Sequence, residues 1–555
     1  MIRDDGLLDW LDRPGAGRGL HFAGPQGSWE SWSYQGLAQL TWQAAAGLRR
    51  LGAGPGDVVA IVQRASPQFL ATYFGALAAG AAACSIAPPF AFQRSDDYQR
   101  HASHLLATAR PRVTVADGDV LGPLCEPSAQ AGISSPVPFA ALTGTGDFAT
   151  AHQPAAGDTA LLQFTSGSTG RPRCVRVTHG AASANITAIR RWLDWGPDQA
   201  GASWLPVHHD MGLIGLLAAV VSGCDTWLMQ PEDFIRSPLR YLSCLSEQRV
   251  AITPLANFGL AYILRRVRPS DLAGLRFDAL KAVIIGAERI DPRVLGSAEK
   301  VLGPFGLDRR ALLPAYGSAE ATLAITCLPP GEGWTALPPP GRPGAPASAD
   351  GPQVVGCGRP VQGVTVRIVG ADGSLAPDGT EGDIVVESTG LASGYYGDAG
   401  TASATSLGRG ELRTGDAGFM ADGQLFVLGR LGDGMKVRGQ MVFAESIEAK
   451  LAELGIPQRR VAVLLGHRDG VPTAALAFEV ADSDWLDIAA RVLRELVAGA
   501  EMIAVNLPRG GLAVTSSGKL RRRVMWQALC DGTLGGEAIA LSGQPADRPA
   551  LAVAP

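Results

Sequence analysis

Between residues 30 and 120, segments whose apolar positions recur every three or four residues alternate with short, continuous apolar runs. The first kind predicts helices over 33–51, 67–79 and 95–109, and the second predicts strands over 57–63, 82–86 and 112–116. Strands that alternate with helices of this length predict parallel βαβ units, because a parallel strand needs a long crossover to return to the same edge. The pattern resumes downstream with an amphipathic helix over 179–195, a strand over 202–206 and an apolar helix over 211–222 that Gly223 stops. Runs at 250–254, 282–286 and 311–314 have the continuous apolar character of buried parallel strands.

The pattern breaks at 329–352, where Pro, Gly and Ala take over and leave nothing with which to bury a core, so a loop or insertion is predicted. From 353 to 388 polar and apolar residues alternate, with Asp-Gly turn signals at 371–373 and 377–379, as in a small antiparallel sheet. After Arg430 a compact αβ unit starts, and beyond residue 532 the composition predicts a loose tail. The longest apolar stretch, 69–88, is punctuated as a buried helix followed by a strand, so no transmembrane segment is predicted.

Composition adds limits. A chain of 555 residues exceeds what one core organises, so more than one domain is expected. A formal net charge of −4 offers no electrostatic case for nucleic acid or an anionic membrane as partner. Eight cysteines lie without a CxxC pair, which fits buried thiols of a cytoplasmic protein and neither a zinc site nor a disulfide framework. The two aspartates near the N-terminus, before a short apolar run, do not fit a signal peptide.

Candidate chemistry centres on LLQFTSGSTGRPRCVRVTHG, residues 161–180. It has the order strand, polar loop, basic strand, helix. Backbone N–H groups at Gly167 and Gly170, with the hydroxyls of Thr165, Ser166, Ser168 and Thr169, suit a polyphosphate. The same hexamer also suits a surface turn, and it lacks the Gly-Lys-Ser/Thr of a P-loop.

This loop resembles the phosphate-binding loop of the adenylate-forming superfamily, which includes acyl-CoA synthetases, luciferases and peptide-synthetase adenylation domains. Three further segments match in order: YGSAE at 316–320, RTGD at 413–416 continuing to Gly429-Arg430, and TSSGK at 515–519. The resemblance implies an α/β fold with a large N-terminal adenylate-forming domain over 1–430, built of βαβ subdomains and a small β-rich one. A small mobile α+β C-terminal domain over 431–532 and a flexible tail over 533–555 would follow.

The resemblance also implies roles. Thr165, Ser166, Gly167, Ser168, Thr169 and Gly170 would hold the β- and γ-phosphates of ATP, and Glu320 would bind Mg²⁺. Tyr316, beside Gly317, would stack on adenine, whose edge the backbone of Gly286, Ala287 and Glu288 would line. Asp416 would accept from the ribose hydroxyls with Arg430 nearby, and Lys519 would meet the charge that builds at the reacting oxygens. Singly, Glu320 also reads as a helix N-terminal acid, Asp416 as a turn residue and Lys519 as a solvated lysine.

Within the superfamily, SWLPVHHDMGLIG at 203–215, AEATL at 319–323, Asn257-Phe258 and the insertion near 329–352 resemble fatty acyl-AMP ligases. In that branch the insertion is associated with loss of CoA use, and here it is short. His209 aligns with a histidine that gates the carboxylate pocket in CoA-forming relatives, and also reads as a core histidine. Arg173 stands where the family has Lys, Cys174 replaces a glycine, Gly432 occupies the usual Asp or Lys hinge, and 441–444 departs from the family's polar, aromatic segment.

The expected function is therefore ATP- and Mg²⁺-dependent activation of a carboxylic acid, with transfer to the phosphopantetheine of an acyl carrier protein in natural-product assembly. Acyl-CoA synthesis or stand-alone amino-acid adenylation is the alternative within enzymes, and a non-catalytic scaffold is the alternative of another class.

Overall fold

After a short helical turn at Asp9–Asp12 the chain forms a hairpin of β1 (Gly19–Ala23) and β2 (Trp29–Ser33) that the apolar pattern did not announce. Ser33 then caps α1 (Tyr34–Arg50) by accepting from the Gly36 N–H, leaving one helix donor fewer to solvate. After β3 (Val58–Val62), Ser66 and Pro67 start α2 (Pro67–Ala79), which is apolar on all sides and buried almost throughout. β4 (Ala82–Ser85), α3 (Ser95–Ala109), β5 (Val113–Ala116) and α4 (Gly118–Gln130) continue the alternation. β3, β4 and β5 pair in parallel, as the βαβ pattern requires. The computed structural model describes residues 6–89, 95–144, 152–165, 172–340, 353–397, 405–408, 410–437, 440–468, 470–515 and 519–541.

β6 (Thr159–Phe164) runs parallel to β4 and antiparallel to β7 (Cys174–Thr178), so the segment expected to hold phosphate is the hairpin of a seven-stranded sheet. Thr178 caps α5 (His179–Leu193) through the Ala181 N–H. A second, nine-stranded sheet takes β8 (Gly201–Ser203), β9 (Thr226–Leu228), β10 (Ile252–Ala256), β11 (Ala282–Gly286), β12 (Leu312–Gly317) and β13 (Ala324–Cys327), and closes on β1 and β2. Between its strands run α6 (Asp210–Ser222), α7 (Asn257–Arg266) and α8 (Pro292–Leu302). One hydrophobic cluster joins Leu20 and Ile252 of this sheet, through Leu37, Phe74 and Leu217 of the helices, to Val59 of the seven-stranded sheet. The helices are thus packed between the two sheets.

The expected antiparallel sheet forms from β14 (Val364–Val369) and β15 (Gly382–Ser388), and extends beyond residue 388 to β16 (Glu411–Ala421) and β17 (Gln424–Arg430). The chain then makes the ribbon β18 (Gly434–Val437) and β19 (Gln440–Phe443), followed by α9 (Ala444–Glu453). A four-stranded sheet of β20 (Val461–Arg468), β21 (Val471–Glu479), β22 (Glu501–Leu507) and β23 (Glu537–Ala540) carries α10 (Ser483–Leu496) and α11 (Arg522–Cys530). The fold is mixed α/β: a large sheet-rich region and a smaller C-terminal one.

Two expectations need correction. The loose tail predicted from residue 533 holds β23, whose Ile539 pairs with Ala504 of β22 while Leu534 is buried against Ile503 and Leu529. A lone apolar pair among Gly and Ala is too short to register as a strand when its partner is far away in sequence. The 329–352 stretch is not bare loop in its described part. Trp334 packs against both large clusters and donates to Glu299 Oε1 at 2.6 Å, and Ala336–Leu337 pairs with Val354–Val355. Residues 341–352 lie outside the described residues. The strands expected over 202–206 and 250–254 occur at Gly201–Ser203 and Ile252–Ala256, the first ending early because Pro206 O turns to accept the His209 N–H.

Candidate active site

Asp416 of β16 lies directly across the ladder from Arg430 of β17. Its Oδ1 accepts from Arg430 Nε at 2.8 Å and its Oδ2 accepts the Tyr316 phenol at 2.5 Å. Both bonds are charge-assisted. Burial, reinforced by the facing Asp416 carboxylate, holds the Tyr316 phenol well above its ordinary value, so it stays a donor. The Asp416 carboxylate in turn raises the Arg430 guanidinium, keeping it charged.

Tyr316 ends a strand that must reverse at once. A Cβ on Gly317 would stand 1.9 Å from the Leu323 carbonyl oxygen, so only glycine permits the approach that lets Ser318 N–H bond to that oxygen. In the resulting turn Glu320 is buried, and Thr322 sits at φ +64°, anchored by its hydroxyl to the Gly390 carbonyl. Left-handed backbone at a β-branched residue is strain that surrounding contacts must hold.

Tyr395 donates to Glu320 Oε1 at 3.0 Å, and Arg173 lies face-on to its ring with Cζ 3.4 Å from the centroid. Arg173 also donates to the Thr405 carbonyl at 3.2 Å. Burial raises the Glu320 carboxyl above the usual carboxylate range, against the pull of Arg430 and Arg173 and with the help of Asp210. Thr165 closes the mouth of the β6–β7 hairpin through its N–H to Arg173 O at 2.9 Å. Ser166, Gly167, Ser168, Thr169 and Gly170 lie outside the described residues.

A third wall comes from α6. A Cβ on Gly212 would meet the Pro206 carbonyl oxygen at 2.2 Å, so the HDMG pattern seats the first turn of α6 on the preceding loop. His209 stands before that turn; its Nε2 is buried without a hydrogen-bond partner among the described residues. Burial pushes its pKa down to about 4, with Asp210 opposing and the charge of Lys519 assisting. Gly286 ends β11, Ala287 follows at φ +68°, and Glu288 then accepts the Phe258 N–H.

The smaller region closes the site. Lys519 is held in a tight loop, its N–H donating to Thr515 Oγ1 at 3.1 Å and its carbonyl accepting from Thr515 N–H at 2.8 Å, and its charge acts on both Glu288 and His209. Arg459 stacks 3.9 Å over the Phe258 ring, and Arg289 donates to Ser446 Oγ at 3.4 Å. Gly432 has nothing within 4 Å of where a Cβ would stand.

The structure therefore links Thr165, Arg173, Glu320, Tyr316, Asp416 and Arg430 through direct contacts, sets Gly286 on the strand beside that of Tyr316, and brings the charge of Lys519 to bear on His209 and Glu288. Tyr395 and Arg459 escaped the sequence reading, whereas Asp210 and Phe258 lay in motifs that it singled out without assigning them a contact. Tyr395 comes from a two-residue strand, Gly394–Tyr395, that pairs with β7, and no local pattern marks it.

The donor set fits ATP and Mg²⁺. Asp416 is a nearly buried acceptor beside a phenol and a guanidinium, and Glu320 is a buried carboxylate with Asp210 close enough to raise it. Among the described residues no group of three or more His, Cys, Asp or Glu could cage a metal. Mg²⁺ needs no such cage, since it binds through one or two carboxylates together with substrate phosphates.

The sequence signature described as "AMP-binding enzyme" matches residues 15–396. The chain belongs to the AMP-binding enzyme family. It is 31% identical to the long-chain-fatty-acid–AMP ligase FadD26 of Mycobacterium marinum, with 84% of this chain and 86% of the relative covered. It is 28% identical to the 4-hydroxyphenylalkanoate adenylyltransferase of Mycobacterium tuberculosis, covering 85% and 82%. A structure from a study of fatty acyl-adenylate ligases of E. coli and L. pneumophila superposes with a TM-score of 0.86 at 27% identity, covering 96% of this chain and 99% of that one. The same fold recurs in McyG A-PCP complexed with phenylalanyl-adenylate, with a TM-score of 0.80 at 19% identity and coverage of 96% and 84%. As a family member the protein is an acyl-AMP ligase whose substrate is a carboxylic acid. No helix among its described residues is long and apolar enough to cross a membrane.

Proposed function

We propose that this enzyme converts a fatty acid and ATP to fatty acyl-AMP and pyrophosphate, then passes the acyl group to the phosphopantetheine thiol of a carrier protein. In the first step a carboxylate oxygen bonds to the α-phosphorus while the bond to the bridging oxygen breaks, and pyrophosphate leaves with the electron pair. Bound Mg²⁺ supplies charge neutralisation on the phosphates. Glu320 is the residue to hold it, with Arg173 and residues 165–170 as donors to the departing pyrophosphate. Asp416 accepts from the ribose hydroxyls, Arg430 and Tyr316 fix its orientation, and Gly286, Ala287 and Glu288 flank the base. Lys519 donates to the oxygens on which charge builds, and neutral His209 faces the carboxylate. In the second step the thiol gives up its proton and its sulfur bonds to the acyl carbon, while the acyl C–O bond breaks and AMP leaves with the electron pair.

The observation that supports the carrier reading is that Leu337 of the insertion packs against a hydrophobic cluster of Phe419, Phe426 and the Phe443 side chain of the smaller region. Tying the insertion to the 431–541 region restrains the swing that a CoA-dependent second step needs, which is how a short insertion can still select the acceptor. We take Gly432, which has nothing within 4 Å of where a Cβ would stand, as the hinge. The test supplies purified acyl-AMP with either CoA or a holo carrier protein and follows thioester by mass spectrometry. Carrier acylation without acyl-CoA is expected; efficient acyl-CoA formation with no carrier acylation overturns the reading.

A further inference from the structure

Residues 389–397, between β15 and β16, are bonded to two walls of the site at once. The Ala392 N–H donates to the Glu320 carbonyl at 2.8 Å and the Gly390 carbonyl accepts the Thr322 hydroxyl, so one end is fastened to the turn that carries Glu320. The Ser393 and Tyr396 N–H groups donate to the carbonyls of Arg176 and Cys174 at 2.9 and 2.7 Å, so the other end runs as an edge strand on β7, with Tyr395 opposite Val175. Side chains alternate across a strand: Tyr396 packs on the cluster that holds Tyr98 and Leu106, and Tyr395 packs on the cluster of the other face. Backbone bonds on both sides therefore fix where the Tyr395 ring stands.

That ring meets two side chains of opposite charge, Arg173 and Glu320, each only 9% exposed. The Tyr395 hydroxyl donates to Glu320 Oε1 at 3.0 Å, and the Arg173 guanidinium lies on the ring face with Cζ 3.4 Å from the centroid. Opposite charges so little exposed attract strongly, because the medium between them screens poorly. A direct Arg173–Glu320 ion pair would turn a phosphate donor and a metal ligand towards each other. The face of an aromatic ring attracts a cation without cancelling its charge, and so does the Thr405 carbonyl that accepts from Arg173 Nη1 at 3.2 Å. The phenol likewise engages Glu320 without neutralising it. A guanidinium, planar and weakly hydrated, suits this stack better than an ammonium would. A half-buried tyrosine that only filled the core would need neither contact.

We propose that Tyr395 is a positioning residue for adenylate formation, whose ring and hydroxyl hold Arg173 and Glu320 apart so that the guanidinium stays turned to phosphate and the carboxylate to Mg²⁺. This rests on the roles given to Arg173 and Glu320 above. Removing the ring lets the two charges pair, and the damage is then done by Glu320 rather than by the gap. Removing only the hydroxyl keeps the ring between them and releases one carboxylate oxygen from its orienting bond.

The test compares the full-length wild type with Tyr395→Phe, Tyr395→Leu, Arg173→Ala, Glu320→Gln and the double variant Tyr395→Leu/Glu320→Gln. Pyrophosphate titrated calorimetrically in EDTA reads Arg173 without metal, and the Mg²⁺ concentration for half-maximal single-turnover adenylate formation reads Glu320. Tyr395→Leu is expected to weaken pyrophosphate binding about 10-fold or more, the loss of one charge-assisted contact. In the double variant pyrophosphate affinity is expected to return to that of Glu320→Gln alone, since no carboxylate remains to draw Arg173 away. Tyr395→Phe is expected to keep the wild-type pyrophosphate affinity and to raise the Mg²⁺ requirement about 10-fold or more, as losing a hydrogen bond to a metal-ligating carboxylate does. Unchanged pyrophosphate binding in Tyr395→Leu overturns the proposal, and so does a loss that persists in the double variant, which assigns Tyr395 to packing alone. An unmoved Mg²⁺ requirement in Tyr395→Phe overturns it as well. These outcomes leave the roles of Arg173 and Glu320 standing. Wild-type pyrophosphate binding in Arg173→Ala, or a wild-type Mg²⁺ requirement in Glu320→Gln, overturns those roles and the proposal with them.

Discussion

Replacing Asp416 by Asn isolates what its charge contributes, because the shape is kept. The amide oxygen can still accept from Arg430 Nε, and the amide N–H can turn to the Tyr316 oxygen, so both contacts survive as weaker ones. A charge-assisted hydrogen bond is roughly twice as strong as a neutral one, so each contact loses about 1 kcal/mol. The Arg430 side chain is 41% exposed, and water makes up part of its loss, which puts the expected destabilisation at about 1–2 kcal/mol. ATP suffers more, because its ribose hydroxyls lose a carboxylate acceptor worth about 1.5–3 kcal/mol, or about 10- to 150-fold in Kd. Arg430, deprived of its nearest anion, is left with Glu320 and Asp433, and the Mg²⁺ requirement is expected to shift to higher concentration. Calorimetric titration of ATP, with thermal unfolding as control, reads both effects. An unchanged ATP Kd in a folded Asp416→Asn variant would refute the reasoning.

Lys519→Ala is expected to slow single-turnover adenylate formation by about 10²-fold or more while ATP binding persists, as for a contact made in the transition state; an unaltered rate removes Lys519 from that role. Arg522 joins Asp433 at 3.2 Å, Glu445 at 3.1 Å and Glu448 at 2.7 Å, with little exposure on any of the four. Arg522→Met leaves three carboxylates together and is expected to cost about 3–5 kcal/mol in denaturant unfolding of the smaller region. His179 and His209 are both pushed down to about 4 by burial, so the unfolded chain takes up their protons first. Their contribution to stability is present above about pH 6.5 and is lost as pH falls towards 4, a slope that His179→Asn should reduce in urea midpoints. The same shift keeps His209 neutral during turnover, and an activity inflection near pH 6.5 that disappears in His209→Asn would contradict it.

The βαβ alternation was legible because each strand there is buried on both faces and each helix is long enough to show its period, as at β3, α2 and β4. The site was legible where one local segment fixes a residue's geometry, as in the turn after Tyr316 that requires Gly317, or the hairpin partner of Asp416 fourteen positions on. Tyr395 and Arg459 were not, because their contacts with Arg173 and Phe258 span about two hundred residues that no window contains. Strands of two residues, such as Gly394–Tyr395 and Ala336–Leu337, owe their pairing to neighbours and carry too few positions for a period to appear. Trp334 shows the limit of composition: one large side chain among prolines and glycines was enough to anchor a segment that read as loop.

The most direct test of the central claim is to mix the purified protein with ATP, Mg²⁺ and a panel of carboxylic acids, and to follow acyl-AMP by mass spectrometry alongside released pyrophosphate. Accumulation of acyl-AMP with at least one fatty acid, matched mole for mole by pyrophosphate and abolished when Mg²⁺ is withheld, is the predicted result. Tight ATP binding with neither acyl-AMP nor pyrophosphate across the whole panel would contradict it.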